Sequence, residues 1–569
     1  MKTLHIKDYK HLFVGDDATL ALSEALRDAK VSGAEVLSLD GETLHFYKEY
    51  AFEREYYVSN NSYSKKSIIF PLMGFENFTV DGEGAELIFH GTVVPFVIDA
   101  SSGITLKGFT VDYHRPFVMQ CTITRAEENY LEMVPDAESM PFRADADGLR
   151  FANPDDGWEY LKDRTLVAEF DAATKAPSAT IRPYFIYTRK DGEGDVSSSW
   201  YNRLVPSTKP DGTICLSGKF DRVHTVGNKL VGSCAPRREC PGIFGNRSKD
   251  ILIEDVTFFA SAAMAIICQV CDNVTLRRVK AIQNEKRNNY LSVSADATHF
   301  VNCTGRIEYE DCTFLGMMDD AGNVHGIYYK VHKRIDAHTL ILTYGHHEQC
   351  GVNVFDKGDA VSVISRKTLQ SAFVGTVESA EQLSEHYLRL AVKEELPEIT
   401  DCDAFALEDT TKYPELYIHG CITGNNRPRG FLPTTTKKVV IENNVFYNMF
   451  HALHFEGDAN GWFESGAVTD VTVRNNKFIN SAYAGEEVIK MSPRVLEGDA
   501  CYHKNIVIEN NEFELADERF LSAAFVENLK FVNNTFHLND KLTSHGKIGE
   551  NGITLKNCKG AVIEKVKEI

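Results

Sequence analysis

Short stretches of alternating apolar and polar residues recur along this chain, and four of them end in the same phrase. Val439–Phe446 reads VVIENNVF, Val471–Phe478 VTVRNNKF, Ile506–Phe513 IVIENNEF and Leu529–Phe536 LKFVNNTF. Fainter copies stand at Phe78–Gly82, Ile104–Phe109, Ile251–Val256 and Val274–Val279. A period of two predicts short strands with one buried face. The asparagine pair predicts a corner, because asparagine tolerates the left-handed backbone that a sharp turn requires. Stacked copies can also ladder their side-chain amides.

Successive asparagine pairs are 32, 35 and 23 residues apart. The shortest spacing reads as a bare coil, and the longer ones as coils carrying surface loops. Variable loops on a constant frame predict a parallel β-helix; a propeller needs a longer, four-stranded repeat. The phrase is missing from 117–230 and from 327–407, where charged turns and alternating strands predict two inserted antiparallel β modules. The implied order is an N-terminal cap with the first coils (1–116), module 1 (117–230), central coils (231–326), module 2 (327–407) and C-terminal coils (408–569). Apolar residues at helical spacing between Ala18 and Lys30 predict a capping helix over a coil end that would otherwise be a sticky edge.

A net charge of −20 argues against nucleic acid, which needs clustered Lys and Arg. No apolar run is long enough to span a membrane, and the first residues lack a signal-peptide core. As written the chain reads as cytoplasmic, or as secreted or periplasmic if a leader was trimmed. Thirteen scattered cysteines read as buried thiols rather than a disulfide framework. The Cys268/Cys271 pair and the string His346-His347-Glu348-Gln349-Cys350 are weak metal candidates, so no metal and no cofactor is expected. A homo-oligomer stays open.

Chemistry concentrates in one place. Asp319 and Asp320 are adjacent, and Asp296 precedes Asp319 by 23 residues, one bare coil. Coils stack about 4.8 Å apart, so this phase places Asp296 beside the pair. Stacked like charges repel and are poor scaffolding. Gly316, Gly322 and Gly326 allow close approach of a ligand, and His299, Asn323 and His325 add polar groups. Three crowded carboxyls cannot all ionise, and an acid beside a carboxylate is the equipment of glycosidic bond hydrolysis.

With these residues assembled, the chain resembles glycoside hydrolase family 110, the α-1,3-galactosidases that remove terminal galactose from blood group B antigens. The likeness rests on Asp296-Ala297-Thr298-His299-Phe300, the run DDAGNVHG from Asp319 to Gly326, Asn426-Arg427-Pro428-Arg429-Gly430 and Trp462-Phe463-Glu464-Ser465-Gly466. It implies an exo-acting, inverting, metal-independent hydrolase of galactose-terminated oligosaccharides or glycoconjugates. Asp319 would be the general acid, with Asp296 and Asp320 holding and deprotonating the water. Nearest-neighbour stacking suggests short carboxyl separations, whereas inversion usually goes with roughly 6.5–9.5 Å. Trp462 and Glu464 are candidates for contact with the sugar. Arg427 and Arg429 could reach hydroxyls or tie a loop to the helix. His325 is read as touching ligand or positioning Asp319, and His299 as orienting its own loop. The architecture expected is all-β, a right-handed parallel β-helix with two inserted antiparallel β-barrel-like modules. Rival readings are a polygalacturonase-like β-helical glycosidase and a non-catalytic, glycan-binding β-helix.

Overall fold

Parallel pairing dominates the computed structural model, which describes residues 2–145, 148–162, 164–187, 201–235, 238–540 and 542–568. Two long sheets, of 22 and 13 strands among the described residues, run the length of a parallel β-helix. In the first sheet Ile251 pairs with Val274, Leu416 with Val439, Val439 with Val471, Val471 with Ile506 and Ile506 with Leu529. The C-terminal coils therefore have the lengths that the asparagine spacings predict.

Each asparagine of a pair does one job. Asn443, Asn475, Asn510 and Asn533 take φ between 54° and 58°, turning the corner. Asn444, Asn476, Asn511 and Asn534 are buried and form the ladder. Asn444 Nδ2 donates to Asn476 Oδ1 at 2.9 Å, Asn476 to Asn511 at 3.0 Å and Asn511 to Asn534 at 3.0 Å. The aromatic that closes each phrase stacks inside, with Phe446, Phe478 and Phe513 at 5.1 and 4.9 Å between ring centres. A helix over Thr19–Ser32 buries Ala21, Leu22, Ala25, Leu26 and Ala29 in the same core as the first coils. Cys268 and Cys271 are wholly buried in that core.

Two insertions leave the helix. From Val118 to Ser233 the chain builds an eight-stranded sheet, antiparallel except where Phe185–Tyr187 meets Tyr201–Arg203, and a three-stranded antiparallel sheet. From Tyr329 to Asp409 six antiparallel strands close into a barrel around Val331, Leu340, Leu342, Val363, Leu390 and Leu407. The barrel starts directly from the helix strand Gly322–Ile327. No described helix is long and apolar enough to cross a membrane.

Candidate active site

The strands Thr298–Val301 and Gly322–Ile327 lie side by side in the second sheet, with Thr298 paired to Gly322 and His299 to Asn323. Both acidic runs sit in the corners just before these strands. Here the register is 24 residues: Asp320 N–H donates to Asp296 Oδ1 at 3.3 Å, and Ala297 N–H to Asp320 O at 2.9 Å. The 23-residue phase expected to align Asp296 with Asp319 is therefore off by one, and Asp320 is its direct neighbour. The trio still converges, because one carboxylate oxygen from each of Asp296, Asp319 and Asp320 lies within 4.8 Å of the others.

The three acids differ in depth and in partners. Asp296 and Asp320 are buried, whereas the Asp319 side chain is 17% exposed. Arg429 grips Asp320 as a fork, Nε to Oδ1 and Nη2 to Oδ2, both at 2.9 Å. Arg238 Nη2 donates to Asp319 Oδ2 at 2.9 Å, and Arg427 Nη2 lies 3.5 Å from Asp319 Oδ1. Asn426 Nδ2 holds the Asp319 carbonyl at 2.9 Å and the Arg429 carbonyl at 2.6 Å, locking the arginine loop onto the acidic corner. Burial pushes Asp296 up to about 8, with the Asp319 charge adding to the effect. Burial also raises Asp320 to about 8, against the pull of Arg429. Three guanidinium groups, of Arg238, Arg427 and Arg429, thus face the three carboxyls.

A second polar row continues from Asp296. His299 Nδ1 lies 2.7 Å from Asp296 Oδ2, and His299 Nε2 lies 2.8 Å from His325 Nε2. His325 Nε2 is 3.5 Å from Glu464 Oε1. An antiparallel bridge, Gly326 to Ser465 and Ile327 to Glu464, brings that glutamate in. Gly326 is required there, since a Cβ would meet Ser465 Oγ at 2.5 Å. Asn323 and Asn60 donate to the two Glu464 oxygens at 3.2 and 3.1 Å. Trp462 is 44% exposed and packs on the His346 ring at 4.4 Å.

Asp296, Asp319, Asp320, His299, Asn323, His325, Arg427, Arg429 and Glu464 gather at this corner, though several partners are unexpected. Arg427 and Arg429 turn to the carboxylates. His299 holds Asp296 of its own loop and also meets His325, and His325 faces His299 and Glu464 rather than Asp319. Arg238, Asn60 and Glu348 were not anticipated as site residues. Arg238 lies between the first insertion and the helix strand that follows it, with no local motif to mark it. Glu348 belongs to the string His346–Cys350 on the barrel, and its carboxylate sits 3.8 Å from Arg238 Nη1.

Known proteins extend this picture. Residues 339–402 match the family model described as GLAA-B beta-barrel domain II, which falls on the closed barrel. Alpha-1,3-galactosidase A of Shewanella woodyi is 31% identical, covering 91% of this chain and 83% of its own. Alpha-1,3-galactosidase B of Phocaeicola vulgatus is also 31% identical, covering 91% and 87%. Among solved structures, an exopolygalacturonase from Thermotoga maritima aligns over 98% of this chain and 92% of its own, at 10% identity and a TM-score of 0.40. On the full-length identity to the first two, this chain belongs to the family of the α-1,3-galactosidases.

Proposed function

We propose that the chain is an exo-acting, inverting α-1,3-galactosidase that removes terminal galactose from B-type glycans. Galactosidase activity, and with it a galactose-containing substrate, is supported by the names of its full-length relatives. The observation that carries the reading is the convergence of three carboxyls within 4.8 Å at one corner.

In this reading Asp319, the outermost acid, gives its proton to the glycosidic oxygen as the bond to the anomeric carbon breaks. Water bonds to that carbon from the opposite face, and its proton passes to the deep pair Asp296 and Asp320. Over one turnover the proton that the water loses balances the one that Asp319 gives. The separation is short for a two-carboxyl inverting site. All four oxygens of the deep pair, however, already accept or share a protein hydrogen bond. That arrangement suits holding a water better than attacking a sugar. Galactose specificity is assigned to Glu464 and Trp462 at the rim, with His299, Asn323 and His325 behind Glu464 and Arg427 and Arg429 behind the acids.

Digestion of an α-1,3-linked galactosyl disaccharide, followed by proton NMR, tests the reading. It predicts β-galactose first, at a rate unchanged by EDTA because guanidinium groups already contact the oxygens of Asp319 and Asp320. Early α-galactose would mean retention, and loss of activity on chelation would mean a metal.

A further inference from the structure

Three hydrogen bonds run in series from a backbone carbonyl to Asp296. His325 Nδ1 lies 2.8 Å from Gly326 O, the two Nε2 atoms of His325 and His299 are 2.8 Å apart, and His299 Nδ1 is 2.7 Å from Asp296 Oδ2. A carbonyl only accepts, so the first proton sits on His325 Nδ1. Each of the other two links needs a proton as well. Three links need three protons, whereas two neutral imidazoles carry two. The chain therefore holds one extra proton and is neutral overall, whether that proton rests on the carboxyl or on a ring.

Asp320 is bound in the opposite sense. The Arg429 fork uses both of its oxygens as acceptors, and a proton on either would remove one. The two deep acids are equivalent in the mechanism above, yet their partners fix different proton states.

Building on that mechanism, we propose that His325 and His299 are positioning residues that hold a proton on Asp296, leaving Asp320 as the single carboxylate that deprotonates the water. Burial pushes His325 down and His299 down to about 4, which moves the extra proton off the rings and onto the acid. The charged groups facing this row act in both directions, and burial is the largest influence on each member. Asp319 faces Asp296 from the next coil and disfavours a second charge there, whereas the Asp320 N–H bonded to Oδ1 favours it. Arg238 and Arg429 face it from the segment after the first insertion and from the 426–430 loop and favour its charged form, but their hydrogen bonds are made to Asp319 and Asp320. Glu464 faces both rings, and Asp319 and Glu348 of the barrel act on His299; these acids favour charged rings, and burial outweighs them.

The test compares single variants of the full chain on an α-1,3-linked galactoside, with melting curves to verify the fold. Asparagine at 296 can donate to His299 Nδ1 and accept the Asp320 N–H, as a protonated aspartate does. A general base contributes about 10²–10⁴ in rate, so Asp320→Asn should lose kcat on that scale. Asp296→Asn should lose at least tenfold less than Asp320→Asn. Equal losses, or a greater loss at 296, would overturn the proposal.

A pH profile supplies the second readout. In His299→Ala, Asp296 lacks the acceptor for its proton, ionises more readily and repels the charge on Asp320. The acid limb of kcat/KM should then move to higher pH, and adding Asp296→Asn should return it. A limb that stays in place while the rate falls would make His299 merely structural and overturn the relay. Near wild-type turnover by Asp319→Asn would instead sink the underlying carboxylate mechanism, a separate result from the ranking of 296 against 320.

Discussion

Asp320 stands beside Asp296 one coil further along, its backbone N–H 3.3 Å from Asp296 Oδ1 across a step of 24 residues. That contact buries both acids and leaves Asp319 outermost, where a leaving group can reach it. The division of labour in the mechanism follows from this one step in register.

Arg429 is the strongest charge opposing the burial of Asp320. Arg429→Lys replaces a rigid fork with a point charge and loses one of the two parallel bonds. Burial then raises Asp320 further, and the base stays protonated to higher pH. The expected outcome is an acid limb of kcat/KM shifted to higher pH with a lower plateau, read from an initial-rate pH profile. A lower plateau with the limb in place would mean that Arg429 does not tune the base.

Stability should depend on pH through Asp296. Its folded value of about 8 lies above the ordinary carboxylate range, so the folded state binds more protons than the unfolded state between the two values. The contribution is fully present below the unfolded value and is lost as pH rises through the folded one. Asp296→Asn, which cannot ionise, should therefore raise Tm more at pH 8 than at pH 5. An equal gain at both, measured by calorimetry, would contradict the assignment.

The asparagine ladder should be stiff to substitution at one member of each pair and tolerant at the other. Asn476 Oδ1 accepts from the Asn444 N–H and from Asn444 Nδ2, so Asn476→Ala leaves buried donors without partners. The cost is about 2–4 kcal/mol. Asn475 holds φ at 56°, and Asn475→Gly, which suits that backbone, should be near neutral by urea unfolding. Similar losses at both positions would mean that the two asparagines do not have separate roles.

The coils were legible because one physical demand, a left-handed corner beside a laddered amide, recurs with the same two residues each time. Coil length varies with the loops, and the site coil carries 24 residues where the bare repeat has 23, so the phase argument found the trio but paired Asp296 with the wrong neighbour. The fork from Arg429 was out of reach, since nothing local says which way an arginine in a loop points. Arg238 and Glu348 were harder still. Arg238 follows one insertion and Glu348 lies within the other, and only the folded chain shows that the two side chains meet.

The most direct measurement is turnover of an α-1,3-linked galactoside by Asp319→Asn, with its melting curve alongside. The account predicts a loss of about 10²–10⁴ in kcat with the fold intact, because the leaving group then departs without its proton. Near wild-type turnover by a folded Asp319→Asn protein would contradict it.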